Sequence, residues 1–284
     1  MPALYGWKTG GVMNSFTTTL SFSLLPLVLV TVFSLLLPSM GAVLAVRDEI
    51  MLALALPSIA NAGMALGLLC GIDPEHELLL YGFATAATLV TILGASRLTT
   101  GNGRREIFLA SLFIGGQILA SSFSAMSPVA HNHVSHLLNG EVLAVGTRET
   151  MSLVMVCIVI LIIGIIYFRT IFSWCADSEF FRIGSKRYRL FLFAVYAAFA
   201  VVITLGVATI GALLVTTLLV LPALFGDVNT GGIRRYIVIS TLIGVFGAIS
   251  GFLVALGVDF PPAISASAGI GVVGICTKYL YRSK

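Results

Sequence analysis

Charge is what this sequence has least of. Only 10% of its 284 residues are Asp, Glu, Lys or Arg, against roughly a quarter in a soluble domain. So few charges cannot cover a water-facing surface, which excludes a soluble globular protein and leaves lipid as the solvent. Cysteine is also scarce. Cys70, Cys157, Cys175 and Cys276 lie far apart and no CxxC occurs, so neither a metal ribbon nor a disulfide scaffold is supported. No GxxxxGK[ST] stretch occurs either, so the chain does not hydrolyse nucleotide by a P-loop. Any energy must come from a partner or an ion gradient. Ser, His and Asp never approach one another in sequence outside a few loops, so no catalytic constellation is visible and an enzyme is not expected. The net charge of +4 is spread over short loops, which does not point to nucleic acid.

What the chain has is apolar length. It is 58% hydrophobic, with mean hydropathy +1.06. A bilayer core of about 30 Å needs roughly 20 apolar residues per helix. Uncharged runs lie at about 16–46, 50–72, 78–96, 107–127, 150–168, 190–225, 236–258 and 262–277. The run within 20–46 is too long for a signal-peptide core and lacks a basic leader and a small-residue cleavage site, so it reads as a retained span. The run 190–225 is too long for one crossing and reads as two helices turning near Gly206–Gly211. The expectation is an all-α polytopic membrane protein of about 8–9 transmembrane helices. A single membrane domain then occupies 1–284, with no soluble domain.

Sidedness follows from the basic residues, which collect in cytoplasmic loops. With the N-terminus outside and nine crossings, all of the 16 basic residues except Lys8 and Arg148 fall inside. A single crossing at 190–225 would move Arg234 and Arg235 to the other face. The expected protein is therefore a multi-pass plasma (inner) membrane protein with an outer N-terminus and a cytoplasmic C-terminus.

All four histidines then fall outside. His131, His133 and His136 sit in AHNHVSHLLNGEVLAV (130–145), and His76 in GIDPEHELL beside Asp73, Glu75 and Glu77. Zinc is commonly held by imidazole nitrogen and carboxylate oxygen in four-coordinate sites. Mn(II) favours oxygen-rich sites. His133 and His136, three apart, share a face if the segment is helical, whereas His131 needs an irregular backbone. Three readings stay open: a polar outer loop that happens to hold histidine, a metal-capture site, and a pH-sensitive gate, since imidazole titrates near neutrality. Among uncharged polar residues inside spans are Asn61 and Gln117. Such groups usually face the bundle or a cavity, so Asn61 either lines a pathway or bonds across helices. The 29 glycines read mostly as close helix packing.

The inside loop FSWCADSEFFRIGSKRYRL (172–190) alternates aromatics with charges and ends basic. It reads either as a membrane-surface loop with aromatic anchors or as a docking helix for a cytoplasmic partner. Its Asp177, Glu179 and Gly184, followed by a long apolar hairpin, resemble the zinc/manganese-type ABC transporter permease family. VATIGALLVTTLLVLPALFG (207–226), NGEVLAVGTRE (139–149) and GFLVALGVDFPPAISASAGIGVV (251–273) resemble further family stretches in the same order. The resemblance runs from about residue 27 to 280. It implies that Asp177, Glu179 and Gly184 form the helix, at about 172–189, that couples to the ATPase.

One departure stands out. Family members carry a GDAxSHA element early in the second span, whose Asp and His are implicated in binding the permeating metal. The corresponding stretch here is VRDEIMLALALPSIANAG (46–63), which places Leu54 and Ser58 at those positions. Neither side chain can act as that ligand pair. The resemblance thus implies a permease subunit of an ATP-driven importer for divalent zinc or manganese, with no covalently bound cofactor. The implied partners are an ABC ATPase, a second permease copy or paralogue, and an extracytoplasmic metal-binding protein. Leu54 and Ser58 keep open another cargo of the same architecture, or a partner half lacking its own metal site. Ser58 and Asn61 are the pathway candidates.

Overall fold

The structure, a computed structural model, describes residues 9–72, 76–97, 104–126, 147–176, 188–226, 232–258 and 260–282. Among the described residues every regular element is a helix. In chain order these are α1 (Thr9–Val46), α2 (Ile50–Leu69), α3 (Glu77–Arg97), α4 (Arg104–Met126) and α5 (Thr147–Ile166). Then follow α6 (Phe168–Ala176), α7 (Tyr188–Ile210), α8 (Ala212–Phe225), α9 (Gly232–Val258) and α10 (Pro262–Arg282). A chain without water around its backbone must satisfy each N–H and C=O within the segment, which leaves helix as the available spanning form here.

Six of these helices are long and apolar enough to cross a membrane, and a seventh crossing results if α5 and α6 count as one bent span. The two remaining apolar segments expected from the sequence are α8 and α10. The first has 14 residues, about 21 Å of helix, short of a bilayer core of about 30 Å. The chain is a multi-pass membrane protein.

The split inside 190–225 falls at Gly211, whose φ of 88° lies where a side chain is strained. Gly211 ends α7 and starts α8, its carbonyl accepting from the Val215 N–H at 3.1 Å. At the end of α8 the Tyr236 hydroxyl donates to the Ala223 carbonyl at 2.7 Å, satisfying one of the acceptors that a helix terminus leaves open.

Helix α2 sits at the centre, with α1, α3, α4, α7 and α8 packed on it, and most of its residues from Leu52 to Gly67 are buried. Helices α9 and α10 form the tightest pair. A Cβ on Gly247 would lie 2.5 Å from the Ile270 Cα, and one on Gly269 would lie 2.9 Å from the Gly251 Cα. Only hydrogen fits there, so the backbones approach as small-residue membrane interfaces do. The Ser265 hydroxyl then reaches the Gly251 carbonyl at 2.7 Å across the pair. Helix α5 lies outermost, with Met151, Met155, Ile165 and Ile166 each about seven-tenths exposed. Lipid is a good solvent for such side chains, so their exposure costs nothing there.

Candidate functional site

Helix α2, at the centre, carries two of the buried polar side chains, Ser58 and Asn61. Leu54, Ser58 and Asn61 are spaced by four and three residues, so they share one face. Ser58 and Asn61 are buried and Leu54 is half-buried against the core. Helix α4 meets that face where Gly116 lets it close on the Ser58 backbone. The next residue, Gln117, donates its Nε2 to the Ser58 Oγ at 3.3 Å. The Asn61 amide is 1% exposed, and neither its Oδ1 nor its Nδ2 has a hydrogen-bond partner among the described residues. An amide buried in this way costs free energy unless something bonds it. The site is thus a neutral strip of hydroxyl and carboxamide groups. Such groups can bond a polar or hydrated solute, but they bind zinc or Mn(II) weakly compared with imidazole and carboxylate.

The sequence candidates divide sharply by place. Ser58 and Asn61 are on the strip, joined there by Gln117. His76 is exposed between α2 and α3, where its carbonyl accepts from the Leu79 and Leu80 N–H groups at 3.0 and 3.4 Å and so starts α3. His131, His133 and His136 lie outside the described residues, as do Asp177, Glu179 and Gly184. Among the described residues no three His, Cys, Asp or Glu side chains cluster as a metal would require.

A second constellation was not legible as such in the sequence. It lies where α1 turns into α2. Asp48 takes a φ of 57°, which Asp tolerates better than most residues, and the turn closes with Glu49 N–H donating to the Leu44 carbonyl at 2.8 Å. Arg47 and Glu49 are thereby set side by side, Nη2 to Oε1 at 3.6 Å. The guanidinium carbon of Arg47 stands 3.9 Å from the Trp174 ring centroid, a cation–π contact. Arg47 Nη1 also donates to the Trp174 carbonyl at 3.5 Å. Trp174 is fully buried and meets Phe191 and Tyr196 edge-on, with centroids 6.2 and 6.0 Å apart.

Trp174 belongs to α6, an amphipathic helix that leaves α5 at 66°. Trp174 itself lies in the stretch expected to dock a partner, 172–189, and Asp177 follows three residues later. The described amphipathic helix runs from Phe168 to Ala176 and overlaps the expected segment 172–189 at 172–176. Arg47 therefore clamps the start of α2, which carries the polar strip, to the helix that leads into 177–187.

Known proteins resemble this chain in sequence and in fold. In sequence, the chain is 24% identical over 182 residues to a probable metal transport system membrane protein of Chlamydia pneumoniae. That alignment covers 63% of this chain and 62% of the relative, so the chain spans about three fifths of that relative's length. In structure, it resembles PsaBC from Streptococcus pneumoniae, solved in complex with a Fab. The TM-score is 0.77 at 14% identity, covering 93% of this chain and 95% of that one. At that identity the likeness establishes the fold. The model of the ABC 3 transport family matches residues 20–277, nearly the whole of the helical assembly described above, and the chain belongs to that family.

Proposed function

We propose that this chain is the membrane-spanning permease subunit of an ATP-driven importer for divalent metal, of the zinc or manganese class. The family match across residues 20–277 carries the reading. The name of the Chlamydia pneumoniae relative, a metal transport system membrane protein, supports the cargo. Residues 1–284 act as one permease domain in the plasma (inner) membrane, with the N-terminus outside. A separate ATPase docks on the segment holding Asp177, Glu179 and Gly184, and its motion reaches α2 through the Trp174–Arg47 clamp. A second copy or paralogue completes the pathway, and an extracytoplasmic binding protein delivers metal to the outer face, where His76, His131, His133 and His136 receive it.

The test is reconstitution with an ABC ATPase from the same source. Glu179→Ala and Gly184→Leu are expected to lose ATPase co-purification while the membrane subunit stays monodisperse. Retention of the ATPase by both variants would sink the docking assignment. Metal bound per purified chain is then compared between wild type and a variant with His131, His133 and His136 all changed to alanine. Zinc held by the first and lost from the second supports the capture site.

A second reading has its own observation. Ser58 and Leu54 stand where the family's ligand pair is expected, and Ser58 is engaged by Gln117. On that reading the cargo is another cation, a chelate or a small solute, or the chain is the half of a heteromer whose paralogue holds the metal. A different permease co-purifying at one-to-one stoichiometry would favour the heteromer.

A further inference from the structure

Between α1, the α5–α6 bend, α7 and α9 lies a cavity of about 840 Å³. Small residues make the room, chiefly Gly164 on α5 with Ala194 and Ala198 on α7. The walls are otherwise almost wholly apolar. The Ser39 hydroxyl in the lining is already used, donating to the Leu36 carbonyl at 2.7 Å. A polar solute would find little there to replace its hydration, so the walls select a hydrocarbon occupant. Leaving a space of this size empty would forfeit the dispersion contacts of every lining side chain. The cavity is open to the bilayer, because Leu35, Ile163 and Tyr167 in its lining are each more than a third exposed.

Its depth and its rim define the occupant further. On α1 the lining runs from Leu35 to Val43, about 12 Å of helix, most of one leaflet of a roughly 30 Å core. The same end of the bundle carries the arginines. Arg169 on α6 lies between the lining residues Phe168 and Ile171, and Arg234 on α9 lies one turn before the lining residue Ile237. Both arginines are exposed, each on a helix that contributes to the lining, and α6 and α9 are in contact. Apolar walls most of one leaflet deep, with exposed arginines on two of the lining helices, match a lipid with an anionic head. Basic pockets between helices on the cytoplasmic side bind such head groups.

We infer that this cavity is a binding site for one anionic phospholipid of the adjoining leaflet, an acyl chain between α1, α5 and α7 and its phosphate against Arg169 and Arg234. A lipid seated there wedges the α5–α6 bend against α7, beside the helix that carries Trp174. The site stands on the membrane fold alone and does not depend on which cargo is moved.

The experiment is native mass spectrometry of the delipidated full chain, titrated with phosphatidylglycerol or phosphatidylcholine of identical acyl chains. Wild type is expected to retain phosphatidylglycerol preferentially, each arginine contributing about fivefold. The doubly substituted R169Q/R234Q chain, changed only at exposed positions, should hold both lipids equally. Ala198→Trp, which puts an indole into the cavity from α7, should weaken retention of both lipids. Equal retention of the two lipids by wild type would overturn the head-group assignment. Undiminished retention by a monodisperse Ala198→Trp chain would overturn the cavity. A lipid-free dimer that excludes added phosphatidylglycerol would show instead that a second copy covers this face.

Discussion

Arg47 makes three contacts at once: a carboxylate, a carbonyl and an aromatic face. Its loss would leave the Glu49 carboxylate, 4% exposed, without its guanidinium. Removing one partner of a buried ion pair costs about 3–5 kcal/mol. The Arg47 side chain is 16% exposed and the pair is long at 3.6 Å, so Arg47→Ala is expected near the lower end, about 3 kcal/mol. Arg47→Lys keeps the charge but loses the planar stacking and the fork, and should fall between. Thermal unfolding in detergent checks the order wild type, Lys, Ala; coincident curves would mean that the clamp is not a stabilising contact. Asn61 predicts the opposite pairing of effects. A buried amide without a partner among the described residues is replaced by Leu with little loss or a gain in stability, while transport should fall if the strip lines the pathway. Stability and transport dropping together would instead make Asn61 an ordinary structural residue.

At the level of helices, most of the architecture was legible because hydropathy fixes spans directly. The two helices within 190–225 were readable from length and from the glycines at 206 and 211, and the break is at Gly211. The amphipathic element was less so. Aromatics and charges alternate from Phe168 to Leu190, and nothing local marks where the 66° bend comes. The side-chain pairs of the site were not legible. Ser58 and Gln117 are 59 residues apart, and Arg47 and Trp174 are 127 apart. The first meeting depends on which faces α2 and α4 present, and an all-round apolar helix carries no stripe that reveals its face; the second joins the α1–α2 turn to a helix far along the chain, which no local pattern announces. The close α9–α10 contact gives a test that separates packing from propensity. Gly247→Ala puts a methyl against the Ile270 backbone, and overpacking of this kind costs about 1–3 kcal/mol. Gly271→Ala on α10, with no atom within 4 Å of its Cβ, should instead gain about 0.5–1 kcal/mol from helix propensity. Melting temperatures moving in opposite directions would locate the contact; a shared direction would contradict it.

For the whole molecule the decisive quantity is which end faces the cytoplasm, since the roles assigned to both ends turn on it. The four free cysteines supply the probe. Cys70 is exposed at the end of α2 remote from Arg47, and Cys175 stands next to Trp174 at the arginine end. Cys157 is fully buried in α5. With the arginine end inside, a chain retaining only Cys70 should react in intact cells with a membrane-impermeant maleimide. A chain retaining only Cys175 should react only after permeabilisation, and one retaining only Cys157 should stay unlabelled in both. The reverse pattern for Cys70 and Cys175 would place the 177–187 segment outside, beyond reach of a cytoplasmic ATPase. It would put the histidines inside, away from any external binding protein, and move the phospholipid cavity to the outer leaflet. The cavity assignment would survive that inversion because its walls and arginines are unchanged. The docking and capture assignments would not, so one labelling experiment divides what rests on the fold from what rests on its orientation.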